Sequence, residues 1–306
     1  MSSSRKPFPI HIVVFLAPAV IIYTLFMIYP LLDSLRLSLN TVDPASGNEV
    51  YAGLQNYQRL FTDSLWQPRI LGALRNNFVF FAIHMLVQNP LALFLATLLS
   101  SRFVRGRAVY RTLIFTPSVL SIVLIAFIWR LILSPIFGKA LFAPLGISLP
   151  PLLGEPATAL PTLGLISVWQ WVGVPMMLFL AALIAIPDEL VEAARVDGAT
   201  GWDVFRRIKL PLILPTVGIV GVLTFVGNFN AFDLIYTSQT ALANPAFSTD
   251  LLGTLFYRTF FGFQLQLGSP TMGATVAGVM FMIILIGVMI YMFTWQRRLL
   301  RNAVEL

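Results

Sequence analysis

Residues 272–295 read MGATVAGVMFMIILIGVMIYMFTW and contain no Asp, Glu, Lys or Arg. The hydrocarbon core of a bilayer is about 30 Å thick, and a helix needs roughly 20 apolar residues to cross it. Lipid offers no partner to backbone N–H and C=O groups, so a single crossing segment has to be helical. The stretch therefore predicts a membrane-spanning helix.

Five further stretches have similar length and apolar character. They lie at about residues 10–32, 77–99, 112–133, 160–186 and 210–236. The 306-residue chain is 58% hydrophobic and 11% charged, whereas soluble domains are about 45–50% apolar and about 25% charged. We therefore expect an all-α, polytopic membrane protein in which residues 1–306 form one domain with six transmembrane helices.

The Lys and Arg residues indicate the orientation of these spans. Thirteen of the 20 lie at the N-terminus, after the second span, before the fifth and after the sixth: Arg5, Lys6, Arg102, Arg105, Arg107, Arg111, Arg195, Arg206, Arg207, Lys209, Arg297, Arg298 and Arg301. Cytoplasmic segments are enriched in basic residues, so both termini are predicted to be cytoplasmic. The net charge of +7 then reflects orientation and does not indicate nucleic-acid binding.

Composition also excludes several functions. The chain has no cysteine, and its two histidines, His11 and His84, are far apart in sequence, so neither disulfides nor a His/Cys metal site is expected. No G-x-x-x-x-G-K-[ST] phosphate loop occurs, which argues against ATP binding by that route. No catalytic set of acid, base and nucleophile is apparent, and we expect no catalytic residue and no metal.

The loop between the fourth and fifth spans, residues 186–211, reads IPDELVEAARVDGATGWDVFRRIKLP. Pro187 suits the start of a helix and Gly198 its left-handed end. Thr200 followed by Asp203 resembles the capped start of a second helix. By composition alone this helix–turn–helix is either a solvated connector between spans or a small-faced helix that binds in a groove of another protein.

The spacing within this loop resembles the EAA loop of ABC importer permeases. The matching positions are Glu192-Ala193-Ala194, then Gly198, then Ile208-Lys209-Leu210-Pro211. The resemblance implies a type I ABC importer permease fold, with residues 187–209 as the cytoplasmic coupling loop that contacts a separate ATPase subunit. The residues to which it assigns coupling are Glu192, Ala193, Ala194, Asp197, Gly198, Ile208, Leu210 and Pro211.

Other segments resemble the maltose-type sugar permeases in particular. They are residues 53–57 (GLQNY), 74–77 (LRNN), 111–117 (RTLIFTP), 129–130 (WR), 232–236 (FDLIY) and 257–260 (YRTF). One segment departs from that pattern, since residues 241–245 read ALANP where many relatives have a Gly-Gly-Pro turn.

This resemblance implies a permease subunit in a bacterial or archaeal inner membrane, which passes a sugar or sugar-like solute from an external solute-binding protein to the cytoplasm. It also implies a second, unlike permease subunit and two ABC ATPase subunits that bind ATP and Mg, with no cofactor in this chain.

Polar residues within spans usually face a bundle interior or a water-filled cavity. The fifth span offers Thr224, Asn228, Asn230 and Asp233. At 100° per residue Thr224 and Asn228 share a face, and the other two lie nearly opposite, so the two pairs are not expected to line one narrow site. By resemblance, Thr224 and Asn228 fall where the family contacts its sugar.

The fourth span adds two tryptophans and a predicted break. Trp169 and Trp171 either stack on a sugar ring or form an interfacial aromatic belt. Gly173 and Pro175 predict a kink between the two halves of this span. In the second span Asn76, Asn77 and Gln88 are expected to make interhelical hydrogen bonds.

Two other functions compete with the ATP-driven importer. An ion-coupled secondary transporter needs buried ionisable groups, and within the spans Asp233 is the one such residue the sequence suggests. A channel or a membrane enzyme is the other alternative. A stable complex with a nucleotide-binding subunit is expected of the importer alone.

Overall fold

The computed structural model describes residues 10–43, 45–101, 104–146, 150–264 and 267–297. Of the basic residues that predict orientation, Arg5, Lys6, Arg102, Arg298 and Arg301 lie outside the described residues, as does the side chain of His11. The described part of the chain is mostly helical, as expected.

The α-helices of the described residues are numbered in chain order: α1 Ile10–Tyr23, α2 Tyr29–Ser38, α3 Gln55–Thr62, α4 Gln67–Ile83, α5 Asn89–Ser100, α6 Arg107–Val119, α7 Ile122–Ile132, α8 Phe137–Phe142, α9 Pro156–Trp171, α10 Gly173–Ile184, α11 Asp188–Val196, α12 Gly201–Val204, α13 Leu210–Phe229, α14 Asp233–Gln239, α15 Leu252–Phe261 and α16 Pro270–Ile290. A short hairpin, β1 (Asn40–Val42) with β2 (Glu49–Tyr51), is antiparallel and pairs Asn40 with Tyr51.

Four π-helical segments continue these helices: Thr24–Ile28, His84–Gln88, Phe205–Lys209 and Tyr291–Gln296. In the first three the next helix carries a proline at its second position, namely Pro30, Pro90 and Pro211. Proline has no N–H and its ring crowds the carbonyl four residues earlier. A wider turn before the proline relieves that crowding and keeps the rod continuous.

Among the described residues, four helical stretches are long and apolar enough to cross a membrane: Ile12–Ser38, Gln67–Ser100, Gly201–Gln239 and Pro270–Trp295. Two bent pairs, α6 with α7 and α9 with α10, raise the number to six if each pair is one span. This agrees with the six predicted spans. The second of them is longer than predicted, because its helix already begins at Gln67.

The third predicted span, residues 112–133, is not one straight helix. Helix α6 ends at Val119 and α7 starts at Ile122, with a bend of 96° between them. Pro117 lies in the last turn of α6, and Leu120 and Ser121 have extended ψ angles of 145° and 135°. The predicted kink in the fourth span is confirmed, since α9 and α10 meet at 45° beside Gly173.

Glycines allow several helices to pack at close range, as is common between membrane helices. A Cβ at Gly173 would lie 2.8 Å from Cα of Phe115, so α10 contacts the backbone of α6. A Cβ at Gly218 would lie within 2.7 Å of the Trp295 indole, where α13 meets the end of the last span. These contacts join α10 to α6 and α13 to the end of the last span.

Candidate functional site

A cavity of about 370 Å³ lies between the second, fourth and fifth spans. The apolar residues that line it include Phe80, Ile122 and Leu178. Its polar lining residues are His84, Gln88, Ser167, Thr224, Asn228, Asn230 and Asp233. Among the described residues that line it, none is Lys or Arg and Asp233 is the one carboxylate.

All four polar residues predicted on the fifth span line this one cavity, so the prediction that the two pairs face opposite ways is wrong. Helix α13 ends at Phe229, and α14 starts only at Asp233. Phe232 between them has φ −146° and ψ −54°. Because the chain leaves the helix after Asn230, whose N–H still bonds the Val226 carbonyl, a rotation of 100° per residue no longer relates Asp233 to Thr224.

The side chains on α13 are held by their own helix. The Thr224 hydroxyl donates to the Val220 carbonyl at 2.8 Å, and the Asn228 amide donates to the Thr224 carbonyl at 2.7 Å. Asn89 at the start of α5 donates to Thr224 Oγ1 at 3.1 Å. The Oδ1 atom of Asn228 is buried and has no hydrogen-bond partner among the described residues, which leaves an acceptor at the cavity wall for a donor that enters.

His84 forms the opposite wall, which the sequence did not suggest as part of a site. Its Nδ1 lies 2.8 Å from the Phe80 carbonyl and its Nε2 lies 2.9 Å from Ser167 Oγ. A carbonyl only accepts, so Nδ1 carries the proton, and in the neutral ring Nε2 accepts from Ser167. The sequence did contain one signal for this position, since His84 is a polar residue within an apolar span, and such residues often face a cavity. Gln88 also lines the cavity, with Oε1 buried and unpartnered.

The two tryptophans of the fourth span have different positions. Trp171 lines the cavity, directly before Gly173 and Pro175. Trp169 is not among the lining residues and instead packs edge-on against Trp129, with ring centroids 5.6 Å apart. The two tryptophans point in different directions, because two residues along a helix turn a side chain by about 200°, and a solute contact by Trp169 stays a prediction.

The loop of residues 186–211 folds as its sequence predicts. Helix α11 ends in a Schellman motif, in which Gly198 has φ +85° and its N–H bonds the Arg195 carbonyl, while the Ala199 N–H bonds the Ala194 carbonyl. Thr200 and Asp203 form the capping box of α12. No residue of α11 is buried within this chain.

The predicted coupling residues fall into two places. Glu192, Ala193 and Ala194 lie on α11, and Asp197 and Gly198 form its C-terminal end. Ile208 lies in the π-helical segment, and Leu210 and Pro211 begin α13. Leu190, Val196 and Trp202 are exposed apolar side chains at 46%, 88% and 66%, which gives this loop an apolar surface that no described part of the chain covers.

Six candidate spans around a polar cavity, with a short exposed helix between the fourth and fifth, define a membrane transport subunit. The family model described as binding-protein-dependent transport system inner membrane component matches residues 88–302. The chain belongs to this family, so it is a multi-pass inner-membrane transport component. The resemblance to importer permeases inferred from residues 192–211 is confirmed.

Similar proteins of known or assigned transport role span nearly the whole chain. The lactose transport system permease protein LacF of Rhizobium radiobacter is 31% identical over 86% of this chain and 87% of its own length. The alpha-glucoside transport system permease protein AglF of Rhizobium meliloti is 31% identical over 90% of this chain and 80% of its own.

A solved structure has the same fold. A chain of a bacterial ABC transporter involved in import of the acidic polysaccharide alginate superposes with a TM-score of 0.74 at 23% identity. It covers 93% of this chain and 96% of that chain.

Proposed function

We propose that this chain passes a neutral sugar or sugar-like solute through the inner membrane as one permease subunit of an ATP-driven importer. The observation that carries this proposal is the cavity of about 370 Å³, whose wall combines Trp171 with amide and hydroxyl side chains. Aromatic faces suit the apolar faces of sugar rings, and a few placed polar groups orient the hydroxyls.

A continuous rod connects this cavity to the exposed loop. Helix α12, the π-helical segment and α13 follow one another without a break from Gly201 to Phe229. Thr224 lies 23 residues beyond Gly201, which is about 35 Å along a helix. A displacement of α11 and α12 by an ATPase subunit would thus move the cavity wall as a rigid body, which is how a helical element transmits a change between distant sites.

The partners follow from the family and from the exposed loop. We propose two ABC ATPase subunits that bind ATP and Mg, an unlike second permease subunit, and an external solute-binding protein. The related alginate transporter has been solved in complex with a pentasaccharide-bound periplasmic protein. We place both termini of this chain in the cytoplasm, as the basic residues predict.

Asp233 favours neutral solutes over anionic ones. It is the one carboxylate among the described lining residues, and no basic side chain lines the cavity to offset it. Two like charges about 5 Å apart repel by about 3 kcal/mol at an effective dielectric constant of about 20. An anionic sugar would therefore bind more than about a hundredfold more weakly than a neutral one of the same size.

A cysteine in the cavity tests this function. The chain has no cysteine, and a Cβ at Gly227, which lines the cavity, meets nothing within 4 Å. In the purified complex we expect neutral oligosaccharides to slow maleimide labelling of Gly227→Cys, and the corresponding uronates to do so only after Asp233→Asn. If neutral and anionic sugars protect Gly227→Cys equally while Asp233 is intact, the assignment to neutral solutes is rejected.

Co-purification tests the ATP-driven part of the proposal. The tagged chain should bring down a nucleotide-hydrolysing subunit, and Glu192→Cys or Val196→Cys should cross-link to it. An intact assembly in which residues 188–198 touch no such subunit would overturn the coupling assignment. The ion-coupled alternative predicts uptake that needs an ion gradient and no ATP, which the same reconstituted complex measures.

A further inference from the structure

Asn77 is a buried side chain that the transport proposal does not use. It lies within α4 and is fully buried. Its Nδ2 donates to the backbone carbonyl of Asn228 at 2.9 Å, and its Oδ1 accepts from the backbone N–H of Leu252 at 2.7 Å. Three separate segments of the chain therefore meet at one amide group.

Both backbone groups that Asn77 binds lie at helix ends. Asn228 is in the last turn of α13, where carbonyls lack the usual partner four residues later, and Leu252 is the first residue of α15, where N–H groups lack an acceptor. An unsatisfied buried backbone group is costly. Asn77 thus provides the acceptor for the Leu252 N–H and a second donor for the Asn228 carbonyl, which also accepts from the Ala231 N–H at 3.3 Å.

Buried hydrogen bonds and one ion pair join the loop before α15 to that helix. Arg258 makes two bonds to the Asp250 carboxylate, at 2.6 and 3.2 Å, and a third to the Ala241 carbonyl at 2.8 Å. Thr254 donates to Asp250 at 2.7 Å. The residues 241–258, here called the outer segment, are therefore cross-linked by buried charges and move together.

Asn76 fixes the outer segment to α4 beside Asn77. Its amide donates to the carbonyls of Ser248 and Asp250 at 3.0 and 2.9 Å. Neither of these bonds involves α13. Asn76 therefore holds only the outer segment, whereas Asn77 joins the outer segment to the cavity wall.

Asn228 links Asn77 to the cavity. Its backbone carbonyl is bound by Asn77, while its side chain lines the cavity with a free Oδ1. A shift of the outer segment relative to α13 has to stretch or break one of the two Asn77 bonds. Movement of the outer segment is therefore transmitted to the backbone of Asn228, whose side chain lines the cavity.

We infer that Asn77 is a positioning residue that couples movement of the outer segment to opening of the cavity at Asn228. This inference rests on the proposed function of the cavity as the solute passage. In this mechanism, the external binding protein contacts the outer segment, and Asn77 transmits the resulting shift to the cavity wall. Delivery of the solute and opening of the cavity therefore occur together.

The test uses Gly227→Cys in the reconstituted complex and measures maleimide labelling with and without loaded binding protein and a non-hydrolysable ATP analogue. In the chain with Asn77 intact, we expect labelling to speed up when both are added. In Asn77→Leu, which removes both bonds at similar volume, the change should be less than about twofold. In the matched control Asn76→Leu, most of the acceleration should remain.

Asn77→Asp separates coupling from folding. A protonated Asp can donate to the Asn228 carbonyl and accept from the Leu252 N–H, whereas an ionised one can only accept. The acceleration should therefore return as the pH is lowered and be lost as it is raised, relative to the Asn77 chain at each pH. A structural role alone would give one fixed yield of complex without this reversible recovery.

The outcomes separate the two proposals. If labelling never changes when Asn77 is intact, the cavity is not the passage and the proposed function fails. If labelling accelerates equally in Asn77→Leu and in the intact chain, the cavity function stands and the coupling role of Asn77 is overturned. If Asn76→Leu loses the acceleration as fully as Asn77→Leu, anchoring of the outer segment alone explains the effect and the inference is again rejected.

Discussion

Gly198 offers the sharpest test of the coupling loop. It ends α11 with φ +85°, and a Cβ at this position would meet no atom within 4 Å. The cost of Gly198→Ala is therefore conformational and not steric. For an L-residue, the left-handed conformation costs about 1–2 kcal/mol. If residue 198 leaves the left-handed conformation, the two hydrogen bonds of the Schellman motif are lost. The end of α11 then no longer has the conformation on which the proposed docking to an ATPase subunit depends.

The conformational cost of Gly198→Ala should appear as a loss of affinity for the ATPase subunits. A cost of about 1–2 kcal/mol lowers an equilibrium constant by about 5- to 30-fold, so the affinity of the permease for its ATPase subunits should fall by that factor. Asn tolerates the left-handed region, and Gly198→Asn should lose about threefold or less. Titration of the permease in nanodiscs with labelled ATPase subunits measures these affinities, and ATP-driven uptake should fall in the same order.

Gly106 provides the matched control. It too has a left-handed φ, +72°, with no atom within 4 Å of a Cβ, but it precedes α6 and lies outside the loop. Gly106→Ala introduces comparable strain without changing α11. If Gly198→Ala binds ATPase subunits as tightly as the native chain, or if Gly106→Ala weakens binding equally, the reasoning about the coupling loop is refuted.

Three other changes should have distinct results. Glu192→Lys should abolish uptake and leave membrane insertion intact, which uptake assays and membrane fractionation compare; native uptake would count against docking at α11. Arg258→Met should destabilise the protein by about 3–5 kcal/mol, because it leaves the buried carboxylate of Asp250 without its ion-pair partner. Burial raises the pKa of Asp250, and Arg258 opposes that rise. In the double variant with Asp250→Asn, the melting temperature should therefore recover part of the loss. Gly173→Ala should cost about 1–3 kcal/mol by overpacking against α6, while Gly72→Ala, where a Cβ meets nothing within 4 Å, should leave the melting temperature unchanged or higher.

The sequence by itself determined the membrane architecture and the local shape of the coupling loop. Apolar length is a property of consecutive residues, so the crossing segments can be found without knowing their neighbours. The same holds for the end of α11 at Gly198 and the capping box of Thr200 with Asp203, because those bonds join residues at most five apart. Interhelical bonds were also expected of Asn76, Asn77 and Gln88. Asn77 makes them, whereas Asn76 bonds the loop carbonyls of Ser248 and Asp250, and Gln88 Oε1 has no partner among the described residues.

Tertiary structure alone decided which polar residues share the cavity. Where α13 stops at Phe229, helical rotation ceases to predict direction, and the break gathers residues that a continuous helix would separate. His84 meets Ser167, and Asn77 meets both Asn228 and Leu252, across separations of 83, 151 and 175 residues. Such encounters depend on how helices bend and approach one another, and this is set by the packing of the whole bundle and not by any one segment.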